Sequence, residues 1–253
     1  MSRSDELTGK VALVTGSARN MGRAFAEAFA SDGADVVVHP RGAAAKADAE
    51  ETARRVRARG RRAIVVEGDL AVVANVRRAF DEAVKAFGRV DVVVNNAGVV
   101  VKKPIVEVTE EDFDRSFGAN AKAAFFVMQE AARRVADGGR IINLGTTLLA
   151  ATTPLYGVYA GSKAPLEAFT RALAKEIGGR GVTVNTVAPG PIDTSFYHAA
   201  ETPEAVEHVK RMSVANRLGT IDDVVPVVQF LASPRAQWVT GQTIFVNGGF
   251  LAR

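Results

Sequence analysis

The chain has 253 residues, of which 47% are hydrophobic and 24% charged, and its formal net charge is +4. This length suits one large or two small domains, and the absence of cysteine excludes disulfides, a thiol nucleophile and a zinc-thiolate site. The densest basic run, residues 54–62, contains no aromatic side chain, so we interpret it as a solvated helix face and expect no nucleic-acid partner. The sequence shows no apolar signal segment and no membrane-length apolar run. We therefore expect a cytoplasmic protein without membrane contact.

Short apolar runs alternate with longer helical patterns along most of the chain. The runs are continuous rather than alternating, which is typical of strands in a sheet covered on both faces. We predict strands over residues 11–15, 35–39, 63–67, 90–95, 140–144, 182–187 and 242–246. Apolar periodicity predicts helices over residues 21–31, 43–59, 73–87, 110–136 and 158–177. This alternation indicates an α/β fold with a doubly wound, seven-stranded parallel sheet and helices on both faces.

Neither a low-complexity linker nor an internal repeat divides this pattern, so we predict a single domain over residues 1–253. The stretch near residues 194–215 is expected to form an inserted substrate loop that acts as a mobile lid. Pro165 and Pro226 fall inside helical patterns and should bend or shorten those helices. Thr109 is a predicted helix N-cap, and Thr220 with Asp223 a capping box.

A glycine-containing turn joins the first predicted strand to the first predicted helix. Glycine lets the backbone approach a phosphate closely, and a helix amino terminus attracts negative charge. The turn therefore predicts a pyrophosphate site, although a simple tight turn is also compatible with two glycines. Its candidate binding residues are Gly16, Ser17, Arg19, Asn20, Met21 and Gly22.

Tyr159 and Lys163 lie four residues apart, which places both on one face of a predicted helix. A cation about 4 Å from the phenol is worth roughly 4 kcal/mol at an effective dielectric constant near 20. We therefore expect Lys163 to lower the pKa of Tyr159 and make it a general acid/base near neutral pH. When the pair is considered alone, a solvated or half-buried helix face is the commoner explanation of this spacing.

Four motifs occur in order: Thr15-Gly16 with Gly22, Asn95-Asn96-Ala97-Gly98, Tyr159 with Lys163, and Pro189-Gly190. Together they resemble the short-chain dehydrogenase/reductase family in its compact form, over residues 9–249. More narrowly, the chain is similar to 3-oxoacyl-(acyl carrier protein) reductase-like members. The resemblance implies one NAD(P)-binding domain of Rossmann type and hydride transfer between a nicotinamide cofactor and a ketone or aldehyde.

The resemblance assigns four catalytic residues. Tyr159 would exchange a proton with the substrate oxygen, and Lys163 would lower the pKa of the Tyr159 phenol and bind the nicotinamide ribose. Asn120 would hold a proton-relay water in a locally distorted helix. Thr146 stands where the family usually has serine. Threonine keeps the hydroxyl, but its methyl takes up space, so we expect retained activity in a narrower site.

The resemblance also assigns the cofactor site. Asn20 stands where the family generally has glycine, and asparagine tolerates a left-handed backbone better than most residues. Asp69 matches an adenine-contacting acid. The cofactor-binding set comprises Gly16, Ser17, Arg19, Asn20, Met21, Gly22, Arg41, Asp69, Leu70, Asn96, Ala97, Gly98, Tyr159, Lys163, Pro189, Gly190, Ile192 and Thr194.

The charge around the second predicted strand favours NADP(H) over NAD(H). No carboxylate follows that strand; the sequence is His39-Pro40-Arg41 instead. Arg41 and Arg19 suit a 2′-phosphate, whereas an acidic residue would bind the ribose hydroxyls of NAD. NAD(H) is the alternative cofactor. The three histidines have no metal-ligand spacing, so we expect them at the surface or in loops and predict no metal site.

The candidate substrate residues Leu148, Tyr156, Phe196 and Tyr197 are largely apolar and favour an aliphatic or aromatic carbonyl compound. Basic side chains near this site suit either an acidic carrier or ordinary surface: Lys102, Lys103, His208, Lys210 and Arg211. Two other functions remain compatible with the sequence, an NAD-dependent alcohol dehydrogenase and a non-catalytic dinucleotide-binding regulator. The family resemblance favours a homo-oligomer, specifically a tetramer, formed through apolar helix faces and the apolar residues 250–251.

Overall fold

The computed structural model describes residues 6–151 and 153–251. One parallel sheet of seven strands runs through this part of the chain, in the order β3-β2-β1-β4-β5-β6-β7. The sheet order changes direction between β1 and β4, which creates a crevice at their carboxyl ends. The strands are β1 (Val11–Thr15), β2 (Asp35–His39), β3 (Ala63–Val65), β4 (Val90–Asn95), β5 (Val135–Leu144), β6 (Thr183–Pro189) and β7 (Thr243–Val246).

Helices cover both faces of the sheet, as the sequence predicts. They are α1 (Asn20–Ser31), α2 (Lys46–Arg57), α3 (Val73–Phe87), α4 (Glu110–Phe117), α5 (Ala123–Arg134), α6 (Gly157–Lys163), α7 (Pro165–Ile177), α8 (Ser195–His198), α9 (Pro203–Lys210) and α10 (Ile221–Ala232). Neighbouring residues of β1 point to opposite faces, so Val14 packs in the core under α1, α2 and α10, and Leu13 in the core under α3, α5 and α7. None of the helices described is long and apolar enough to cross a membrane.

Two predicted helices are wrong in extent. The segment predicted as one helix over residues 110–136 comprises α4, a π-helical turn (Gly118–Lys122) and α5, and Val135 already pairs with Val90 in the sheet. The segment predicted as one helix over residues 158–177 divides into α6 and α7, because Pro165 has no N–H to continue the hydrogen-bond pattern. The predicted N-cap at Thr109 and the capping box of Thr220 and Asp223 are both present.

Candidate active site

A groove of about 450 Å³ opens at the crevice between the carboxyl ends of β1 and β4. The loops that follow β1, β2 and β4 contribute to its wall, together with the loop after β3 and side chains from α6. Of the predicted cofactor residues, fourteen line this groove: Gly16, Arg19, Asn20, Met21, Gly22, Arg41, Asp69, Leu70, Asn96, Ala97, Gly98, Tyr159, Lys163 and Thr194.

The turn after β1 fits a pyrophosphate. Gly16 has a φ of +64°, and a Cβ at Gly22 would lie 2.3 Å from the Gly16 carbonyl oxygen, so neither position accepts a side chain without rearrangement. Asn20 adopts the left-handed conformation expected for it, with a φ of +49°. Since the turn opens directly into α1, its backbone approaches the groove closely at the positive end of a helix.

Thr15 and Asn96 hold the two halves of this cradle together. The Thr15 hydroxyl accepts hydrogen bonds from the backbone N–H groups of Asn96 (2.9 Å) and Ala97 (3.0 Å). The Asn96 amide in turn donates to the Thr15 carbonyl at 2.9 Å. Because these bonds join residues about eighty positions apart in sequence, they fix the β1 turn against the loop after β4.

Ser17 does not line the groove, whereas the almost fully buried His39 does. The Ser17 hydroxyl donates to the Val14 carbonyl (2.7 Å) and accepts from the His39 N–H (2.9 Å), so it is bonded within the protein, and a cofactor contact of Ser17 stays a prediction. His39 is 2% exposed, which corrects the prediction of surface or loop histidines at this position. Its Nε2 lies 2.8 Å from the Gly68 carbonyl, which can only accept, and burial lowers the pKa of His39 to about 4. The imidazole is therefore neutral and ties β2 to the loop after β3.

The two arginines expected to bind a 2′-phosphate both line the groove, and each makes an ion pair. Arg41 lies 3.0 Å from Asp69, and Arg19 lies 2.7 Å from Asp48. Partial burial raises the pKa of Asp69, but the Ala71 N–H and the Arg41 guanidinium outweigh it and hold that pKa below its usual value. Arg41 is 60% exposed, so its guanidinium can exchange partners at little cost.

Tyr159 and Lys163 extend from α6 into the site, and both are buried. Burial raises the pKa of Tyr159 to about 12, and the hydrogen bond with the Thr146 hydroxyl lowers it by a smaller amount. The Lys163 ammonium donates to the Leu144 carbonyl at 2.7 Å, and burial lowers the pKa of Lys163 to about 8. The expected general acid/base with a pKa near neutral is not met in this structure, because desolvation dominates the pKa of both Tyr159 and Lys163.

Asn120 lies in the π-helical turn, as expected for a locally distorted helix, and is fully buried. Its amide clamps the Val99 backbone: Nδ2 donates to the Val99 carbonyl (2.8 Å) and Oδ1 accepts from the Val99 N–H (2.9 Å). A Cβ at Gly98 would lie 2.8 Å from Asn120 Oδ1 and 3.2 Å from Lys163 Nζ. Because position 98 has no side chain, the loop after β4 can lie in contact with the π-helical turn and Lys163.

A second cavity of about 450 Å³ adjoins the groove, and Tyr159 lines both. All four predicted substrate residues lie in its wall: Leu148, Tyr156, Phe196 and Tyr197. Three predicted cofactor residues, Pro189, Gly190 and Ile192, line this cavity and not the groove. Its remaining wall is mostly apolar, and α9 forms one side through side chains such as Val209. The cavity therefore suits an apolar molecule whose reactive group reaches Tyr159.

A family model described as enoyl-(acyl carrier protein) reductase matches residues 16–251. A relative from Picea abies, named a short-chain type dehydrogenase/reductase, is 43% identical over 96% of this chain and 93% of its own length. The chain belongs to the short-chain dehydrogenase/reductase family.

Other members of this oxidoreductase family agree with that assignment. A relative from Arabidopsis thaliana, named NADPH-dependent aldehyde reductase-like protein, chloroplastic, is 42% identical over 97% of this chain and 95% of its own. A solved dehydrogenase structure from Burkholderia cenocepacia, described with bound NADP, has a TM-score of 0.94 and 43% identity, covering 98% of this chain and 95% of that one. The fold predicted from the sequence is therefore confirmed.

His39 and Glu201 of this short-chain dehydrogenase/reductase line the site but are not predicted as site residues from the sequence. Both meet their partners through tertiary contacts. His39 contacts a carbonyl 29 positions away, and the Glu201 carboxylate pairs with Lys102 Nζ at 2.6 Å across 99 positions. The available sequence signal for a buried imidazole is that His39 directly follows three valines, residues 36–38, in β2.

Proposed function

We propose that the chain is an NADP(H)-dependent oxidoreductase that reduces a ketone or aldehyde to an alcohol, or catalyses the reverse reaction. The observation that carries the proposal is the position of Tyr159, whose side chain lines both the dinucleotide groove and the apolar cavity. A proton donor at that junction can reach a carbonyl oxygen whose carbon faces the groove. A non-catalytic regulator would not need a cavity on the far side of the tyrosine.

The choice of NADP(H) over NAD(H) is supported by charge. Arg19 and Arg41 line the groove, and β2 is followed by Pro40 and Arg41 with no carboxylate. The residues that would hold the dinucleotide are the glycine cradle, Arg41 at the adenosine ribose and Lys163 at the nicotinamide ribose. Bound there, the nicotinamide would supply or accept the hydride. The solved relative described with bound NADP supports the same choice.

The protein's own contribution is to hold a proton at the substrate oxygen. With a pKa near 12, Tyr159 is fully protonated at neutral pH and presents an O–H donor. Thr146, hydrogen-bonded to Tyr159, supplies a second hydroxyl beside the same substrate oxygen. The buried Lys163 cation favours negative charge on Tyr159 after proton donation, and Asn120 fixes the backbone of the loop beside Lys163.

The candidate basic residues give no specific support for an acidic carrier. Three of the candidate basic residues already pair with carboxylates of the same chain: Lys102 with Glu201 (2.6 Å), Lys103 with Asp112 (2.5 Å) and Lys210 with Glu207 (2.5 Å). A 3-oxoacyl-type activity of the kind suggested by the resemblance remains a prediction. A homotetramer and a cytoplasmic location remain predictions; one relative is named chloroplastic.

The test is a panel of ketones and aldehydes with NADPH or NADH, in which nucleotide oxidation is followed by absorbance. We expect turnover with NADPH to exceed turnover with NADH. Tyr159→Phe should lower turnover by at least about 100-fold, since a positioned general acid contributes on the order of 10²–10⁴. Calorimetry should show unchanged NADPH affinity in that variant. Undiminished turnover would contradict the assigned role of Tyr159, and no turnover by the unmodified enzyme would contradict the function.

A further inference from the structure

All three tyrosines of the chain line the apolar cavity. Phenylalanine, which occurs thirteen times in the chain, has nearly the same shape but no hydroxyl. Tyr159 serves the reacting oxygen. Tyr156 and Tyr197 lie elsewhere in the wall, and the ring centroids of Tyr156 and Tyr159 are 6.1 Å apart. The cavity therefore has phenol hydroxyls beyond the one that the proposed reaction uses.

An ion pair occupies the part of the wall near Tyr156 and Tyr197. Lys102 Nζ lies 2.6 Å from Glu201 Oε2, and the Tyr156 hydroxyl donates to Glu201 Oε1. Each carboxylate oxygen thus has a partner, and the Lys102 charge balances that of Glu201. The Glu201 side chain is only 6% exposed, so this arrangement belongs to the interior of the cavity and not to its rim.

The Tyr197 hydroxyl differs from its neighbours. Among residues 6–151 and 153–251, it is the buried side-chain oxygen or nitrogen that makes no hydrogen bond. Burial, with the nearby Glu201 charge as a smaller cause, raises the pKa of Tyr197 to about 12, so the phenol stays neutral and keeps its proton. A buried donor without an acceptor costs free energy, and retaining one in a binding cavity is explained if a ligand satisfies it.

We propose that the Tyr197 hydroxyl binds a second oxygen of the substrate, distinct from the carbonyl oxygen at Tyr159. The substrate class is a neutral, largely apolar carbonyl compound that carries a further hydroxyl or carbonyl group. An anionic substituent is disfavoured, because the Glu201 carboxylate lies in the same wall and Lys102 is already paired. Tyr197 lies on the short helix α8, and because its hydroxyl is buried, its side chain must rotate toward the cavity for this bond to form.

This inference rests on the proposed reductase function and extends it to the substrate. The probes are 1-tetralone, its ring-hydroxylated isomers and a carboxylated derivative, each reduced with NADPH. For the unmodified enzyme, we expect at least one hydroxylated isomer to have a higher kcat/KM than 1-tetralone, and the carboxylated compound a lower one. Tyr197→Phe should reduce the ratio of kcat/KM for the hydroxylated isomer to kcat/KM for 1-tetralone by about tenfold, the size expected for one hydrogen bond.

His198→Gln is the matched control, because His198 is on the same short helix but pairs with Asp193 (2.8 Å) at the surface. It should leave the hydroxylated-to-parent ratio unchanged. An unchanged ratio in Tyr197→Phe, or a carboxylated compound preferred over every hydroxylated one, would overturn the proposal.

Calorimetry separates failure of this site from failure of the enzymatic function. The same ketones are titrated into NADP⁺-loaded protein and into its Tyr197→Phe variant. If no compound is reduced but a hydroxylated isomer still binds more tightly than 1-tetralone, and only when Tyr197 is present, the reductase function fails and the oxygen-binding site stands. Equal affinity of parent and hydroxylated ketones for the unmodified protein would overturn the site whatever the turnover.

Discussion

His39 shows at the scale of one residue how the dinucleotide groove depends on a buried neutral imidazole. Its Nε2 donates to the Gly68 carbonyl, and its Nδ1 lies 3.4 Å from the Gly16 N–H, where only an unprotonated nitrogen can accept. Protonation would place a second N–H against that donor. One side chain therefore sets the distance between the β1 turn and the loop after β3, both of which line the groove.

The lowered pKa of His39 predicts a stability that depends on pH. The pKa is about 4 in the folded protein and 6.5 when unfolded. Between these values the unfolded chain binds a proton that the folded chain does not, so the free energy of unfolding falls as pH is lowered from about 6.5 to 4. The full effect is on the order of 3 kcal/mol. Urea unfolding at pH 7, 5.5 and 4.5 measures it.

Two variants isolate the contribution of His39. His39→Gln retains an amide donor for Gly68 but does not titrate, so its unfolding free energy should change less between pH 7 and 4.5. His208→Gln removes a histidine outside the core and should keep the pH dependence of the unmodified protein. If His39→Gln and the unmodified protein lose stability in parallel, the titrating group lies elsewhere.

At the scale of elements, the turn between β1 and α1 is the part that tolerates least change. Helix propensity alone predicts that Gly22→Ala stabilises α1 by roughly 0.5–1 kcal/mol. The contact distance predicts the opposite, because the new Cβ would lie 2.3 Å from the Gly16 carbonyl oxygen and 2.7 Å from the Asn96 amide nitrogen. We expect a lower melting temperature and NADPH affinity weakened at least tenfold by calorimetric titration.

Gly42→Ala is the matched control for this turn. Gly42 follows β2 closely, has an extended backbone with φ of −173°, and has no neighbour within 4 Å of an added Cβ. Its NADPH affinity should stay within about twofold of the unmodified protein. Normal NADPH binding by the Gly22→Ala variant would show that the turn can relax, and the steric account of the cradle would be wrong.

The sequence predicts elements whose cause is local and misses those whose cause is distant. β1, β2, β4 and α3 have the predicted bounds because apolar period and flanking glycines decide them. The π-helical turn is not visible in the apolar period, because its central Asn120 is bound to Val99, 21 positions earlier. β5 begins at Val135, several residues before its predicted start, because Val90 of β4 provides a partner there.

The same distinction holds for the site. Tyr159 and Lys163 lie on one helix, and their proximity follows from four-residue spacing. Their pKa values do not follow from the spacing, because both groups are buried by the loops and helices that surround them. The Lys102–Glu201–Tyr156 cluster joins three separate segments and has no local sequence signal.

At the scale of the whole molecule, the outer helices carry two partly exposed aromatic pairs. Phe113 of α4 is 47% exposed and stacks on Phe117 with ring centroids 4.2 Å apart. Phe125 of α5 is 41% exposed and meets Phe169 of α7 edge to face at 5.1 Å. These exposed rings are the observation from which we predict an interface between copies of the chain.

The family resemblance predicts a tetramer, with a mass near four times the 26.7 kDa of one chain by size exclusion with light scattering. Phe125→Lys should produce smaller species, because a cation between aromatic rings loses its hydration when copies associate. Val84→Lys is the control for adding a charge at any exposed apolar position, because Val84 on α3 is 39% exposed. This substitution should leave the mass unchanged. A monomer in the unmodified protein would contradict the prediction. A tetramer that survives Phe125→Lys would move the interface to another face, where Trp238, 98% exposed in the chain, is the next residue to change.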